Sequence, residues 1–481
     1  MQDTFEILLL ARSWRNGLAP INRIPPEVLA LLPDFLDRGP VKLTHVCRAW
    51  REIFTSRSSL WTNFNCENID KTRVYLERSK SSPINVFLER SEGLYYCDPF
   101  LQIVPHAIPR LKSLVIEGSP KSLPGITTQL SLPAPLLETL KIEARGGYGQ
   151  PPYVAINPTL FGGELPSLRV LHLRCIRTEL PWRNMANLTS FTLDNVFRLS
   201  SGEVSQFLDF FESAPRLRKI HLKSATPTSR AEDGRLVSLA CLKKMAIIGG
   251  QPSLLLDHLL IPVGTELRMR VDVVSSRLEG HFPRSLDNLR NLPDFTDIRL
   301  YFDRGYSNIR FTGPNGRISV VPPMQQFDST SLLLEYLAEF DTATTERLTI
   351  ITGNPPTTDT VHYALLPMTN LRTLTLSRCK NLSTFIHTLH PGPTSSSTVV
   401  CPKLEELVLD RCVNGKLDVH GVVTMAAMRT SRGAKLRSIR IVSKDKSVQA
   451  DALELKKHVL HMECGPEGAI ANDYGGSSDE D

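Results

Sequence analysis

Residues 401–412 read CPKLEELVLDRC, and the spacing of their apolar side chains sets the terms for the whole chain. Leu404 opens the unit, and Leu407 and Leu409 follow with a single residue between them. A period of two places Leu407 and Leu409 on one face of an extended segment, with Glu406, Val408 and Asp410 on the other. Pro402 comes just before. It lacks a backbone donor and biases its predecessor away from helix, so it ends whatever leads in. The same order recurs in IPRLKSLVIEG (108–118), LPSLRVLHLRCI (165–176) and APRLRKIHLKS (214–224). Copies without the proline are LLETLKIEA (136–144), NLTSFTLDNV (187–196), NLRTLTLSRC (370–379) and KLRSIRIVS (435–443). Each predicts a short strand with alternate residues turned inward.

The spacing between successive first leucines is 26 from Leu111 to Leu137, 31 to Leu168, 20 to Leu188 and 29 to Leu217. Later it is 33 from Leu371 to Leu404 and 32 to Leu436. Periods of ~20–29 residues carrying L-x-x-L-x-L are the mark of leucine-rich repeats, here long and irregular. Cys379 and Cys412 stand three residues after the last leucine, where that motif takes Asn or Cys. EVSQFLDFFESAP (203–215) and SLLLEYLAEF (331–340) read as return helices between strands. An unrelated α/β domain with parallel strands is the alternative that the same pattern allows. Residues 262–330 fit the period worst, and TGPNGRISV (312–320), with turn residues between extended runs, reads as a hairpin insertion.

Composition narrows the function classes. With 41% apolar and 22% charged residues the chain falls in the globular range. Nine scattered cysteines with no CxxC pair argue for reduced thiols. No secretory signal pattern and no apolar run of ~20 residues occurs, so the expected setting is the cytoplasm or nucleus, with no membrane partner. The net charge of +6 is small and thinly spread, with no basic stripe, so no nucleic-acid partner is expected. RLRKIHLK (216–223) alternates like a solvated strand face. Walker A, HExxH and GxSxG motifs are absent. His458, His461 and Cys464 at three-residue spacing, and His387 with His390, fall short of a zinc ligand set. The glycines of GGYGQ (146–150) read as a turn, and the acids after Ser477 and Ser478 as a loose kinase-site pattern. The expectation is a non-enzyme without metal or cofactor.

Near the start, INRIPPEVLALLPDFLDRGP (21–40) and LTHVCRAWREIFTSRSSLW (43–61) predict two short helices. Pro25 and Pro26 suit a helix start, and Glu27 suits its positive end. Val28, Leu29 and Leu32 make one apolar side. Leu43, Val46, Cys47, Trp50, Ile53 and Phe54 make another stripe. A unit of about 40 residues cannot enclose this much apolar surface alone, so part of it must be buried against a second body.

IPPEVL resembles the Leu-Pro-x-Glu-Ile/Leu-Leu opening of the F-box, and LTHVCRAW its Leu-x-x-Val-Cys-Arg-x-Trp second half. Ile24 replaces the usual leucine, and the link from Leu36 to Leu43 is short for an F-box. With the repeats downstream, the chain resembles the expanded F-box/leucine-rich-repeat proteins of mushroom-forming fungi. That resemblance implies a substrate-recognition subunit of a cullin–RING (SCF-type) ubiquitin ligase. A Skp-type adaptor, and through it a cullin, would bind the F-box, and an unidentified protein substrate the repeats. It implies an adaptor surface of Ile24, Pro25, Val28, Leu29, Val46, Cys47 and Trp50. A protein-binding scaffold with no ligase link is the alternative, and there the helical unit would only cap the repeats.

The strand phasing also marks a possible substrate face: His172, Arg174 and Asp194; Lys219, His221 and Lys223; Thr375, Glu406, Asp410 and Arg440. The expected fold class is therefore α/β, a small all-α F-box followed by an irregular leucine-rich-repeat solenoid. The expected segments are an N-terminal piece (1–20), the F-box (21–66), a connection (67–105), the solenoid (106–445, irregular near 262–330) and a polar helical, then disordered acidic tail (446–481).

Overall fold

The computed structural model describes residues 2–32, 40–66, 68–89, 104–145, 154–156, 160–177, 185–194, 203–227, 234–270, 282–290, 294–303, 306–321, 334, 337, 340–353, 356–391, 399–412, 416–443, 448 and 452–465. They divide into two compact units, Met1–Phe197 with Ser205–Leu217, and Arg198–Val204 with Arg218–Asp481.

The first unit opens with helix α1 (Gln2–Leu18), a 3-10 turn at Pro20–Arg23, and α2 (Pro26–Leu29), which has Pro26 at its first position and Glu27 in its first turn. A second 3-10 turn, Pro40–His45, leads to α3 (Arg48–Ser56). Strand β1 (Asn63–Asn65), helix α4 (Ile69–Arg78) and strand β2 (Ile84–Glu89) follow. The Asn68 side chain caps α4 by accepting from the Lys71 amide at 3.0 Å. Strands β3 (Leu111–Gly118), β4 (Thr139–Ala144), β6 (Val170–Arg174) and β8 (Ser190–Asp194) continue in parallel from β2, giving the order β1–β2–β3–β4–β6–β8. The short β5 (Val154–Ala155) and β7 (Ile176–Arg177) pair separately. One face of the sheet buries Leu114 and Ile116, Leu140 and Ile142, Leu171 and Leu173, Phe191 and Leu193. The helix Glu203–Ser213 sets Phe210 against Phe191, ring centroids 4.5 Å apart.

The second unit contains β9 (Lys219–Lys223), β10 (Val237–Ser238), β11 (Lys244–Ile248), β12 (Leu259–Leu260), β13 (Glu266–Arg270), β14 (Asp297–Asp303), β15 (Tyr306–Gly313), β16 (Gly316–Val321), β17 (Arg347–Thr352), β18 (Thr373–Ser377), β19 (Glu406–Asp410), β20 (Ser438–Val442) and β21 (His461–Gly465). Its strand order is β9–β11–β13–β16–β15–β14–β17–β18–β19–β20–β21, parallel except for the β14–β15–β16 meander. Strands β10 and β12 form a separate pair.

The expected architecture needs correction. The class is α/β, but the chain is not a small all-α domain followed by a repeat solenoid. It is a large, mostly parallel sheet structure whose main strands, among the described residues, number seventeen, six in the first unit and eleven in the second. Strand β1, at the end of the expected F-box, pairs with β2 of the expected connecting segment, and β2 pairs in turn with β3. The physical reason is the shortage of core in a unit of about 40 residues. Trp61 packs on Tyr75 of α4 at 4.9 Å, and Tyr75 on Phe64 of β1 at 5.6 Å, so the helices close their core by joining the sheet. Residues 312–320 do form the expected hairpin, closed by Gly313 and Gly316, and its strands lie inside the sheet. HVLHMEC is not helical, because His461–Gly465 pairs with β20 as a further strand. Most of SLLLEYLAEF, all of GGYGQ, the link before Pro40 and the acidic tail lie outside the described residues.

A feature with no sequence warning ends many strands. Cys175, Ser224, Arg378 and Arg411 have φ between 48° and 59°, a left-handed conformation that costs a non-glycine residue of order 1 kcal/mol. Each turns its amide onto the last carbonyl of the next strand: Cys175 to Asp194 at 2.7 Å, Arg378 to Asp410 at 2.8 Å. The chain leaves the strand while the ladder gains one more bond. Cys379 and Cys412, expected at strand ends, are fully buried, and the Cys379 amide donates to the Cys412 sulfur at 3.3 Å. The eight described cysteines form no disulfide. Burial pushes the Cys66 and Cys401 thiols up to about 12.

Strand phasing has a direct consequence for stability. Leu374→Ala or Leu407→Ala, both fully buried, should cost about 3 kcal/mol, and half-buried Thr375→Ala less than about 0.5 kcal/mol. Denaturant midpoints of the three variants check it.

Candidate functional site

The first candidate is the helical segment of the first unit. Leu29, Leu43, Trp50 and Phe54 form its core, with Leu32, Cys47, Ile53 and Leu60 packed around them. The Trp50 and Phe54 rings meet edge-on at 5.6 Å. The Trp50 indole N–H donates to the Asn22 side chain, and that of Trp61 to the Phe54 carbonyl at 2.8 Å. Every buried indole proton here has an acceptor. The apolar stripe is not one helix, because it breaks at Val46–Cys47 between the 3-10 turn and α3. Arg51 Nε bonds the Thr44 carbonyl at 2.9 Å and holds the two pieces together.

This break sorts the seven candidate adaptor residues into two groups. Leu29 and Trp50 are 2% and 5% exposed and belong to the core, and Cys47, the residue before α3, is half-buried. Val28 and Val46 are 51% and 55% exposed, and Ile24 and Pro25 are exposed as well. Leu31, which the sequence reading left out, joins the exposed group at 52%. A four-residue helix gives no periodicity by which to tell Val28 from Leu29. Helix α1 also exposes Ile7, Leu8, Leu10, Trp14 and Leu18.

The second candidate is the polar face of the sheets. In the first unit His172, Arg174 and Asp194 come together, joined by a residue not singled out from sequence. Glu143 lies 3.6 Å from His172 Nε2 and 3.8 Å from Arg174, which also lies 3.5 Å from Asp194. Arg145 pairs with Glu117 on the same face. Burial lowers the His172 pKa, and Glu143 pulls it back up. Arg174 is thus shared between two carboxylates, Glu143 and Asp194.

In the second unit Lys219, His221 and Lys223 occupy the outward positions of β9, with Ile220 and Leu222 buried between them. Glu406 accepts from the Thr373 hydroxyl at 3.2 Å. Asp410 is buried and accepts from Ser377 at 2.7 Å, so it holds two strands together and is not a contact residue. Arg440 bonds Glu463 at 2.7 Å, and half-buried Thr375 lies between Thr349 and Val408.

Among the described residues no group of three or more His, Cys, Asp or Glu could hold a metal ion. No described helix is long and apolar enough to cross a membrane. No family model matches the chain, and no curated protein matches it either.

Proposed function

We propose that this chain is the substrate-recognition subunit of a cullin–RING ubiquitin ligase. Its N-terminal helical segment docks on a Skp-type adaptor, and an outward sheet face holds the protein to be modified. The chain performs no chemistry of its own. The observation that carries the reading is the division of the stripe: Leu29, Trp50 and Phe54 are buried inside, while Ile24, Val28, Leu31 and Val46 remain outside. Together with the F-box-like order of IPPEVL and LTHVCRAW, these exposed apolar residues support a docking role for the segment. A few such anchors carry most of the energy of a typical interface of ~800 Å² per partner.

The test separates surface from core. Val28→Glu with Val46→Glu places charge only at exposed positions, so folding stability should change by less than about 0.5 kcal/mol each. Adaptor co-purification should fall below detection. Leu29→Glu is the wrong probe, since it would bury a charge in the helical core. A wild-type chain that brings down no adaptor, or a double variant that binds as well as wild type, leaves a scaffold without a ligase link.

A further inference from the structure

The second unit gathers a basic face that no stretch of sequence displays. Between β9 and β17 the outward residues fall into rows set by strand register. In the first row Lys219 lies beside Lys244, Lys244 beside Glu266, Glu266 beside Arg317, and Asp297 beside Arg347. In the next row Arg268 pairs with Ser319, Ser319 with Arg310, and Arg310 with Arg299. In the third, Lys223 and Arg270 are both in register with Ile248 of β11. The opposite face of these strands is core: Ile220, Met245, Leu267, Ile318, Ile298 and Leu348 are buried. All nine cations therefore lie on one side, where the outward register positions of these strands hold three carboxylates, Glu266, Asp297 and, at the end of β14, Asp303. The entire chain has a net charge of only +6.

We propose that this face binds an acidic, carboxylate-rich segment of a partner protein. The inference rests on the reading of the sheet face as the target-binding surface, and not on the adaptor link. Neighbouring strands are ~4.8 Å apart, so Lys219 beside Lys244 and Arg310 opposite Arg299 set cations close enough for one acidic segment to meet several at once. The face also carries its own example of the contact. Asp297 lies 3.4 Å from Arg299 and 3.4 Å from Arg347, one carboxylate held between two guanidinium groups. Glu266 holds Lys244 at 3.3 Å in the same way. Six of the nine cations are arginines, whose planar fork matches a carboxylate. Single-stranded nucleic acid is the less suited polyanion, because it needs aromatic platforms on which bases stack. Along β9, β11 and β13–β17 the described outward positions carry rings at His221, at Tyr301 and, at the start of β15, at Tyr306, too few to line the face.

The experiment is fluorescence anisotropy on the full chain with two labelled probes of equal charge, a short polyglutamate peptide and single-stranded DNA, at low and physiological salt. The expected result is saturable peptide binding, weakened by salt, and tighter than DNA binding. Arg268→Glu with Arg310→Glu should weaken the peptide by tenfold or more, on the order expected for reversed contact charges. Arg268→Gln with Arg317→Gln, exposed and milder, should weaken it less without change in circular dichroism. Arg372→Glu, on the edge near β18 and β19, should leave it unchanged. DNA bound more tightly than peptide would assign the face to nucleic acid and overturn the proposal. So would an absence of peptide binding, or peptide binding that all variants retain. Adaptor capture is measured separately on the N-terminal segment's surface variants, so either reading can fail without the other.

Discussion

Replacing Trp50 by alanine should cost ~3–5 kcal/mol in the stability of the N-terminal helical segment, the range for a buried tryptophan. Trp50 packs edge-on against Phe54, lies among Leu29 and Leu43, and donates its indole proton to Asn22. Truncation removes that packing, opens a cavity and leaves the Asn22 carbonyl oxygen to find another donor. Adaptor capture should be lost with it, but indirectly, through unfolding of the surface that presents Val28 and Val46. Chemical denaturation followed by near-ultraviolet circular dichroism measures the stability loss. A loss under about 1 kcal/mol would mean that Trp50 is not a core residue. The contrast with the doubly charged surface variant, folded but unable to bind, distinguishes scaffold from contact.

The second large effect is expected at Arg429, a fully buried guanidinium on the helix Lys416–Ser431. Its partners are backbone carbonyls: Leu389 at 3.3 Å, Val400 at 2.9 Å and Cys401 at 2.7 Å. Leu389 ends the helix Ser383–Leu389, so one of these is a carbonyl with no acceptor role inside its own helix. Burial lowers the Arg429 pKa, and the neighbouring Cys401 thiol counteracts this. Arg429→Ala removes the side-chain donor from the Leu389 and Val400 carbonyls, leaves that of Cys401 with the Leu404 amide alone, and should cost ~3–5 kcal/mol. Arg429→Lys keeps the charge but not the fork, and should recover only part of the loss. Urea midpoints of both variants check this, and equal stability of alanine variant and wild type would refute it.

The strands were the legible part of this fold. The alternating pattern locates β3, β4, β6, β8, β9, β18, β19 and β20 because two inward apolar side chains per strand leave little choice of face. The meander was less legible: FTDIRLYF (295–302) reads as a weaker copy of the strand without its leading leucine and TGPNGRISV as a hairpin, but neither shows that the two join as one antiparallel meander within the sheet. The helical segment divided unevenly. Its apolar residues were found, but which of Val28 and Leu29 faces inward depends on what packs below, and four residues of helix hold no periodicity. Least legible was the basic face. Each strand from β9 to β17 contributes at most two cations, an ordinary solvated pattern taken singly, and only register adds them together. Glu143 escaped for the same reason: its role comes from His172 and Arg174 on the adjacent strand.

The central claim is that the exposed apolar residues of the helical segment are a docking surface for a Skp-type adaptor. Hydrogen–deuterium exchange of the full chain, alone and with purified adaptor in excess, tests it most directly. The account predicts slowed exchange in peptides covering Ile24–Leu31 and Val41–Trp50, with the sheet strands unchanged. Unchanged exchange across both segments, or protection found only on the sheet, would contradict it.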